Sequence, residues 1–110
     1  MRLDESNFFD IVDSAKLAVQ YISEKSYEEF LADIKIQDAV IRRIEIIGEA
    51  SNRISSEARN RFSHLPWKEM RGMRNLLIHE YDEIDLKEIW NTVKNDLPDL
   101  IKEIEKILSA

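Results

Sequence analysis

Four residues near position 75 have the side chains that phosphodiester chemistry needs. Arg74 is followed directly by Asn75. One of only two histidines, His79, lies five residues after the arginine, and Tyr81 lies two residues further on. An arginine binds a phosphate by charge and by a fork of N–H donors, and a histidine transfers protons near neutral pH. Together these residue types are sufficient in principle to cleave an RNA backbone without a metal.

RNA carries its own nucleophile, the 2′-hydroxyl group. Cleavage then needs a base for its proton, an acid for the leaving 5′-oxygen and a cation for the crowded phosphoryl group. The motif of one chain offers one histidine, His79, for the two proton transfers. A two-fold dimer brings the same motif together twice. The chemistry therefore favours a homodimer that joins two motifs.

The motif is predicted to lie on a helix that begins at Pro66. At about 100° per residue, Arg71, Asn75 and His79 fall between roughly 60° and 140° from Arg74 and form a polar strip. The other side of the helix carries apolar and aromatic residues, namely Met70, Met73, Leu77 and Tyr81. Asn75 and His79 are four residues apart, so the amide can orient the imidazole or bind a phosphate oxygen.

Apolar residues recur at helical spacing almost throughout the rest of the chain. The first stripe consists of Phe8, Ile11, Val12, Ala15, Ala18, Val19 and Ile22. A long central helix is predicted from about Lys35 to Ile54. Ser26 and Asp85 each precede a glutamate by three positions, the capping-box pattern of a helix start. Pro98 should bend or split the last helix at about 95–97. The pattern predicts an all-α, up-and-down bundle of four main helices with one or two short ones.

The chain has 110 residues, which predicts a single domain over 1–110. Hydrophobic residues make up 44% and glycines number two, which argues against disorder. Cysteine is absent, so disulfides and thiolate metal sites are excluded and a reducing cytoplasm is expected. Two histidines are too few for a histidine metal site, and no metal or other cofactor is expected. We expect no membrane span, because no apolar run approaches about 20 residues, and no signal peptide, because the N-terminus is acidic.

The net charge of −6 argues at first against a nucleic-acid partner. The charges are unevenly distributed, however. Residues 42–74 carry 8 basic and 4 acidic groups, whereas the segments on either side each carry 4 basic and 9 acidic groups. The basic third leads into the motif, so it is either a phosphate-facing surface or a solvated face with local ion pairs.

The extended pattern Arg-x4-His-x-Tyr, formed by Arg74, His79 and Tyr81, resembles the motif of the HEPN superfamily and, more closely, its HepT branch. The resemblance runs along most of the chain. It is carried further by residues 46–50 (IIGEA), 65–67 (LPW), 71–75 (RGMRN), 89–90 (IW) and 97–100 (LPDL).

HepT proteins are small toxins paired with an MNT-type nucleotidyltransferase antitoxin, and HEPN ribonucleases act as dimers with a composite cleft. The resemblance implies a metal-independent endoribonuclease in which His79 is the general acid and base. Arg74 would clamp the phosphate and Asn75 would position both. Tyr81 would be the residue to which the antitoxin attaches AMP, whose charge and bulk should repel RNA.

Two further residues are candidates for a supporting or RNA-binding role. Arg71 lies near the polar strip. Glu49 lies on the otherwise apolar central helix, where a buried acid is costly unless paired. It either holds Arg74 or Arg71, lies against the cleft, or is a partly exposed surface acid. Arg42, Arg43 and Arg53 either extend the RNA-facing surface or belong to a solvated face, and His64 is expected at the surface.

Three functions remain open. The first is a ribonuclease toxin neutralised by a nucleotidyltransferase. The second is a non-catalytic HEPN partner that binds or regulates a nucleotidyltransferase. The third is a helical dimerisation domain whose polar strip is an interface ion network. The full set of Arg74, Asn75, His79 and Tyr81 favours the first, because a binding partner does not need it.

Overall fold

Helices make up nearly all of the regular structure in the computed structural model, which describes residues 2–76 and 84–110. The α-helices are α1 (Arg2–Ile22), α2 (Tyr27–Ala32), α3 (Ile34–Arg53), α4 (Ser56–Arg61), α5 (Trp67–Arg71), α6 (Leu86–Asn91) and α7 (Leu97–Ser109). A 3-10 helix (Gly72–Leu76) follows α5, and a π-helical segment (Thr92–Asp96) joins α6 to α7. Neither described range contains a β-strand. The predicted all-α bundle is confirmed.

Side-chain caps fix where several helices begin. Ser26 accepts a hydrogen bond from the Glu29 amide, and the Glu29 carboxylate accepts one from the Ser26 amide, so the predicted capping box is present. Asp85 caps α6, also as predicted. Asp33 caps α3 and Ser55 caps α4. Each cap satisfies an amide that the first helical turn leaves without a partner.

The core forms where α1 packs along α3 and α7. The stripe predicted on α1 is buried at six of its seven positions, and Val19 is partly buried. The facing side chains of α3 and α7 are also buried, among them Val40, Ile44, Ile47, Leu97, Leu100 and Ile104. Burial of this aliphatic surface holds the bundle together, and α5 and the 3-10 helix also pack against α3.

The last helix is interrupted at residues 92–96, close to the break predicted at about 95–97 before Pro98. The α-helical hydrogen bonding stops at Asn91, and the Leu97 amide bonds to the Thr92 carbonyl, five residues back. Proline has no N–H and its ring crowds the preceding turn, so it fits best in the first turn of a new helix. Pro98 occupies that position in α7.

The prediction of one continuous α-helix through the motif is wrong over residues 72–76. The α-helix ends at Arg71, and Gly72–Leu76 is a 3-10 helix. Gly72 favours this ending, because glycine is about 1 kcal/mol less favourable than alanine inside an α-helix. The Arg74 end of the segment also passes directly over Gly48 of α3.

Candidate active site around Arg74

Arg74 passes very close to the central helix at a glycine. Gly48 is buried on α3, and a Cβ atom added there would lie 2.9 Å from the Arg74 Cγ and 3.0 Å from its backbone nitrogen. Real Cβ atoms essentially never show separations below 3.0 Å. The absence of a side chain at Gly48 therefore permits this crossing, as expected for a glycine within a helix–helix contact. The remainder of Arg74 is exposed and can meet a ligand.

Arg71 is held by a second residue of α3, Asn52. The Arg71 Nε–H donates to the Asn52 Oδ1 at 3.1 Å. The Asn52 Nδ2 donates to the Arg71 carbonyl at 3.2 Å and to the Gly48 carbonyl at 2.9 Å. Both the backbone and the side chain of Arg71 are thus bound to one turn of α3, the turn that also receives Arg74.

The 3-10 geometry changes which motif residues lie together. The 3-10 helix begins at Gly72, and side chains three residues apart in such a helix are eclipsed, so Asn75 follows the line of Gly72. Of the residues predicted for the polar strip, Arg71 is hydrogen-bonded to α3, whereas Asn75 lines a groove between the 3-10 helix and the α6–α7 segment. Arg74 contacts α3 separately, at Gly48.

That groove has a volume of about 650 Å³ and an acidic rim. Met70, Met73 and Leu100 form its apolar floor. Its carboxylates come from Glu69, Glu88, Asp96, Asp99 and Glu103. Lys68 and His64 also line the groove, where carboxylates outnumber the basic side chains, and the positioning role of Asn75 stays a prediction.

Glu49 is a partly exposed acid on the surface of α3. Its carboxylate lies 3.9 Å from the Arg42 guanidinium and 4.0 Å from that of Arg53. Of the alternatives for this residue, the structure matches the surface acid and pairs it with neither Arg71 nor Arg74. Exposed ion pairs of this kind contribute little to stability. Arg42 and Arg53 are thus two further exposed arginines on the same helix as Gly48 and Asn52, with 57% and 65% of their side chains exposed.

His79 and Tyr81 lie outside the described residues, so the structure assigns them no geometry. The other histidine, His64, is exposed as predicted, and its Nε2 lies 3.6 Å from a carboxylate oxygen of Glu103 at the groove. Within 2–76 and 84–110, no group of three or more His, Asp or Glu side chains is arranged to hold a metal ion. In the same ranges, no helix combines the length and the apolar character that a membrane crossing requires.

Asn52 is the residue that the sequence analysis missed. One signal was available, because Asn52 follows Gly48 by four positions and therefore shares its face of the helix. A polar residue next to a glycine on a packing face is a candidate for a hydrogen bond to the element that the glycine admits. The sequence around Asn52, however, does not indicate which element that is.

Comparison with known proteins gives a consistent result. A family model described as "Ribonuclease HepT-like" matches residues 11–107. A candidate RNase of Methanocaldococcus jannaschii is 45% identical over 97 residues, which are 88% of this chain and 89% of that protein. A probable ribonuclease HepT of Thermococcus cleftensis is 43% identical over 98 residues, 89% of each chain.

A second protein of Methanocaldococcus jannaschii, named as a gamma-glutamylcyclotransferase and candidate RNase, is 43% identical over 109 residues. The match covers 98% of this chain but 49% of that protein. No solved structure matches the chain.

Proposed function

The chain belongs to the HepT-like ribonuclease family, and on that basis we propose that it is a metal-independent endoribonuclease. In this proposal it is the toxin of a toxin–antitoxin pair. It cleaves RNA in a cleft shared by two copies of the chain, and a nucleotidyltransferase neutralises it by attaching AMP to Tyr81.

The observation that carries the proposal is the placement of the two arginines. Arg74 and Arg71 are both exposed and both lie beside α3, where Arg74 passes closely over Gly48 and Arg71 is hydrogen-bonded to Asn52. A guanidinium that is already oriented loses less side-chain entropy when it binds a phosphate. The surface thus supports RNA backbone binding five residues before the histidine that the chemistry needs.

The proposed reaction needs no external nucleophile. His79 accepts the proton of the 2′-hydroxyl, the 2′-oxygen attacks phosphorus, and the bond to the 5′-oxygen breaks. A proton from the second histidine of the dimer completes the leaving group, which leaves a 2′,3′-cyclic phosphate and a 5′-hydroxyl. Arg74 stabilises the charge that accumulates on the phosphoryl oxygens. Asn75 positions these groups in this proposal.

The proposed control by the antitoxin acts through charge. AMP on Tyr81 adds a phosphate two residues after His79, and that phosphate competes with RNA for the arginines of the motif. A homodimer would place two modified tyrosines near one cleft, so repulsion of the RNA backbone would be doubled.

Cleavage of mixed cellular RNA in EDTA tests the proposal. The native chain is compared with His79→Ala, and mass spectrometry first establishes that Tyr81 is unmodified. General acid–base catalysis contributes typically 100- to 10,000-fold, so His79→Ala should lower the cleavage rate at least about 100-fold. The matched control is His64→Ala, which removes the exposed histidine and should stay within about twofold of the native rate. Equal cleavage by native chain and His79→Ala would refute the assignment.

A non-catalytic partner of a nucleotidyltransferase is the second candidate. The position of Asn75 favours this function, because this residue lines an acidic groove. Absence of cleavage by an unmodified native dimer, together with tight binding to the nucleotidyltransferase, would establish this function instead.

A further inference from the structure

The contacts of Asn52 have a defined direction. Its amide group has one acceptor oxygen and two N–H donors. The oxygen accepts from the Arg71 Nε at 3.1 Å, and the nitrogen donates to the carbonyls of Arg71 and Gly48 at 3.2 and 2.9 Å. The reversed amide would face a donor with its nitrogen and two carbonyls with its oxygen. One orientation therefore satisfies all three contacts.

Those contacts also determine how Arg71 can bind a ligand. A guanidinium has five N–H donors in a fixed fork, and Asn52 engages the one on Nε. Two of the four remaining N–H donors, one on each Nη atom, form the end edge of the guanidinium plane. This is the edge that binds a phosphate with two parallel hydrogen bonds.

We infer that Asn52 is a positioning residue that orients the exposed Arg71 guanidinium to bind a second phosphate of the RNA strand, next to the one held by Arg74. This inference rests on the proposed function for the identity of the ligand. A backbone phosphate follows each nucleotide, so two arginines on adjacent turns suit a polynucleotide better than an isolated phosphate. Asn52 itself touches Arg71 and α3 and does not need to touch RNA.

A double-mutant cycle on RNA affinity tests the inference. The probe is a 20-nucleotide, fully 2′-O-methylated single-stranded RNA, which lacks the nucleophile and stays intact. Its affinity for the full, unmodified chain is measured by fluorescence anisotropy in EDTA at several salt concentrations. The variants are Asn52→Ala, Arg71→Ala and the combination of both. Matched controls are Asn60→Ala and Arg61→Ala, which change exposed residues of the same types on α4.

Arg71→Ala should weaken binding about tenfold at low salt and should reduce the slope of log affinity against log salt by about 0.7, the value for one lost phosphate contact on a single strand. Asn52→Ala should weaken binding about threefold to tenfold when Arg71 is present and by less than twofold when it is absent. In cleavage of ordinary RNA, both changes should raise KM and leave kcat unchanged, because a flanking phosphate is bound equally before and during reaction.

Arg71→Lys separates charge from orientation. It retains the positive charge but not the fork that Asn52 holds, so the salt slope should stay near the native value while the dependence on Asn52 disappears. Thermal unfolding of each variant identifies any loss of fold, and affinities are compared per folded molecule.

Additive effects of Asn52→Ala and Arg71→Ala would overturn the inference while leaving the cleavage proposal intact. A native chain that binds the probe with the coupling described, but cleaves no RNA, would leave the positioning role intact and refute the cleavage proposal. A native chain that does not bind the probe would overturn both.

Discussion

Replacing Gly48 with alanine is expected to displace Arg74, because the new Cβ would lie 2.9 Å from the Arg74 Cγ and 3.0 Å from its backbone nitrogen. Two effects on stability oppose each other. Alanine is about 1 kcal/mol better than glycine inside a helix. Overpacking a close contact costs about 1–3 kcal/mol. The free energy of unfolding should therefore fall by about 0–2 kcal/mol, a decrease in Tm of up to roughly 10 °C for a domain of this size.

The effect on activity should exceed the effect on stability. The backbone nitrogen of Arg74 cannot rotate away as a side-chain end can, so the 3-10 helix must shift or tilt as a whole. A displacement of about 1 Å at a positioned group can cost on the order of 100-fold in rate. We expect at least a tenfold loss of RNA cleavage by the folded Gly48→Ala chain.

Gly72→Ala is the matched control. Gly72 has φ −84° and ψ 0°, which any residue adopts. A Cβ there would meet the Asn75 Nδ2 at 3.8 Å, an ordinary contact distance. Gly72→Ala should therefore stabilise the chain by about 0.4–1 kcal/mol, because alanine lowers the conformational entropy of the unfolded chain. This variant should retain cleavage. A Gly48→Ala chain that gains stability and cleaves RNA at the native rate would refute the close-approach argument.

Two further predictions concern the frame of the site and its response to acid. Asp4 is buried, and its carboxylate accepts hydrogen bonds from the Ser55 amide at 2.9 Å and the Ser55 hydroxyl at 2.7 Å. Asp4→Ala should therefore lower the free energy of unfolding, measured in urea, by about 2–3 kcal/mol. The control Glu5→Ala removes an exposed acid of the same first turn and should change that free energy by less than about 1 kcal/mol. An equal effect of both would show that the Ser55 contacts contribute nothing. The Ser26 backbone and hydroxyl hydrogen bonds, with a smaller effect of a nearby lysine, lower the pKa of Glu29 from its usual 4.5. Since this folded-state pKa lies below the unfolded one, the carboxylate stabilises the fold above about pH 4.5 and loses that contribution as the pH falls through the folded value. Ser26→Ala removes the hydroxyl but keeps the backbone N–H, so it should move the NMR titration midpoint of Glu29 upwards by part of the shift. An unchanged midpoint would contradict the contribution of the hydroxyl.

Local sequence patterns were sufficient for the fold class. The stripe from Phe8 to Ile22 recurs at helical spacing and is the face that α1 buries. Ser26 and Asp85 begin helices because their side chains accept from amides three residues later, a contact made within a single turn. Pro98 splits the last helix for an equally local reason, the missing N–H. Such features depend on neighbours in sequence, so the sequence alone determines them.

Sequence resemblance also identified the family, through a motif whose spacing is independent of how the chain folds. The roles of its residues were less accessible. Arg71 and Asn75 were predicted to share a strip, yet Arg71 is hydrogen-bonded to Asn52 of α3 and Asn75 lines an acidic groove. Glu49 was weighed as a partner for the motif arginines and is paired instead with Arg42 and Arg53, one or two turns away on its own helix.

The tertiary structure decided what depends on contacts between distant positions. The 3-10 helix at Gly72–Leu76 exists where Gly48, 26 positions before Arg74, lets two backbones approach. Likewise, Asn52 binds Arg71 across 19 positions. Periodicity specifies which side of a helix is apolar, but it does not specify which element that side will meet or how closely. The sequence thus determined an all-α chain of the HepT-like family, and packing against α3 determined where Arg71 and Arg74 lie.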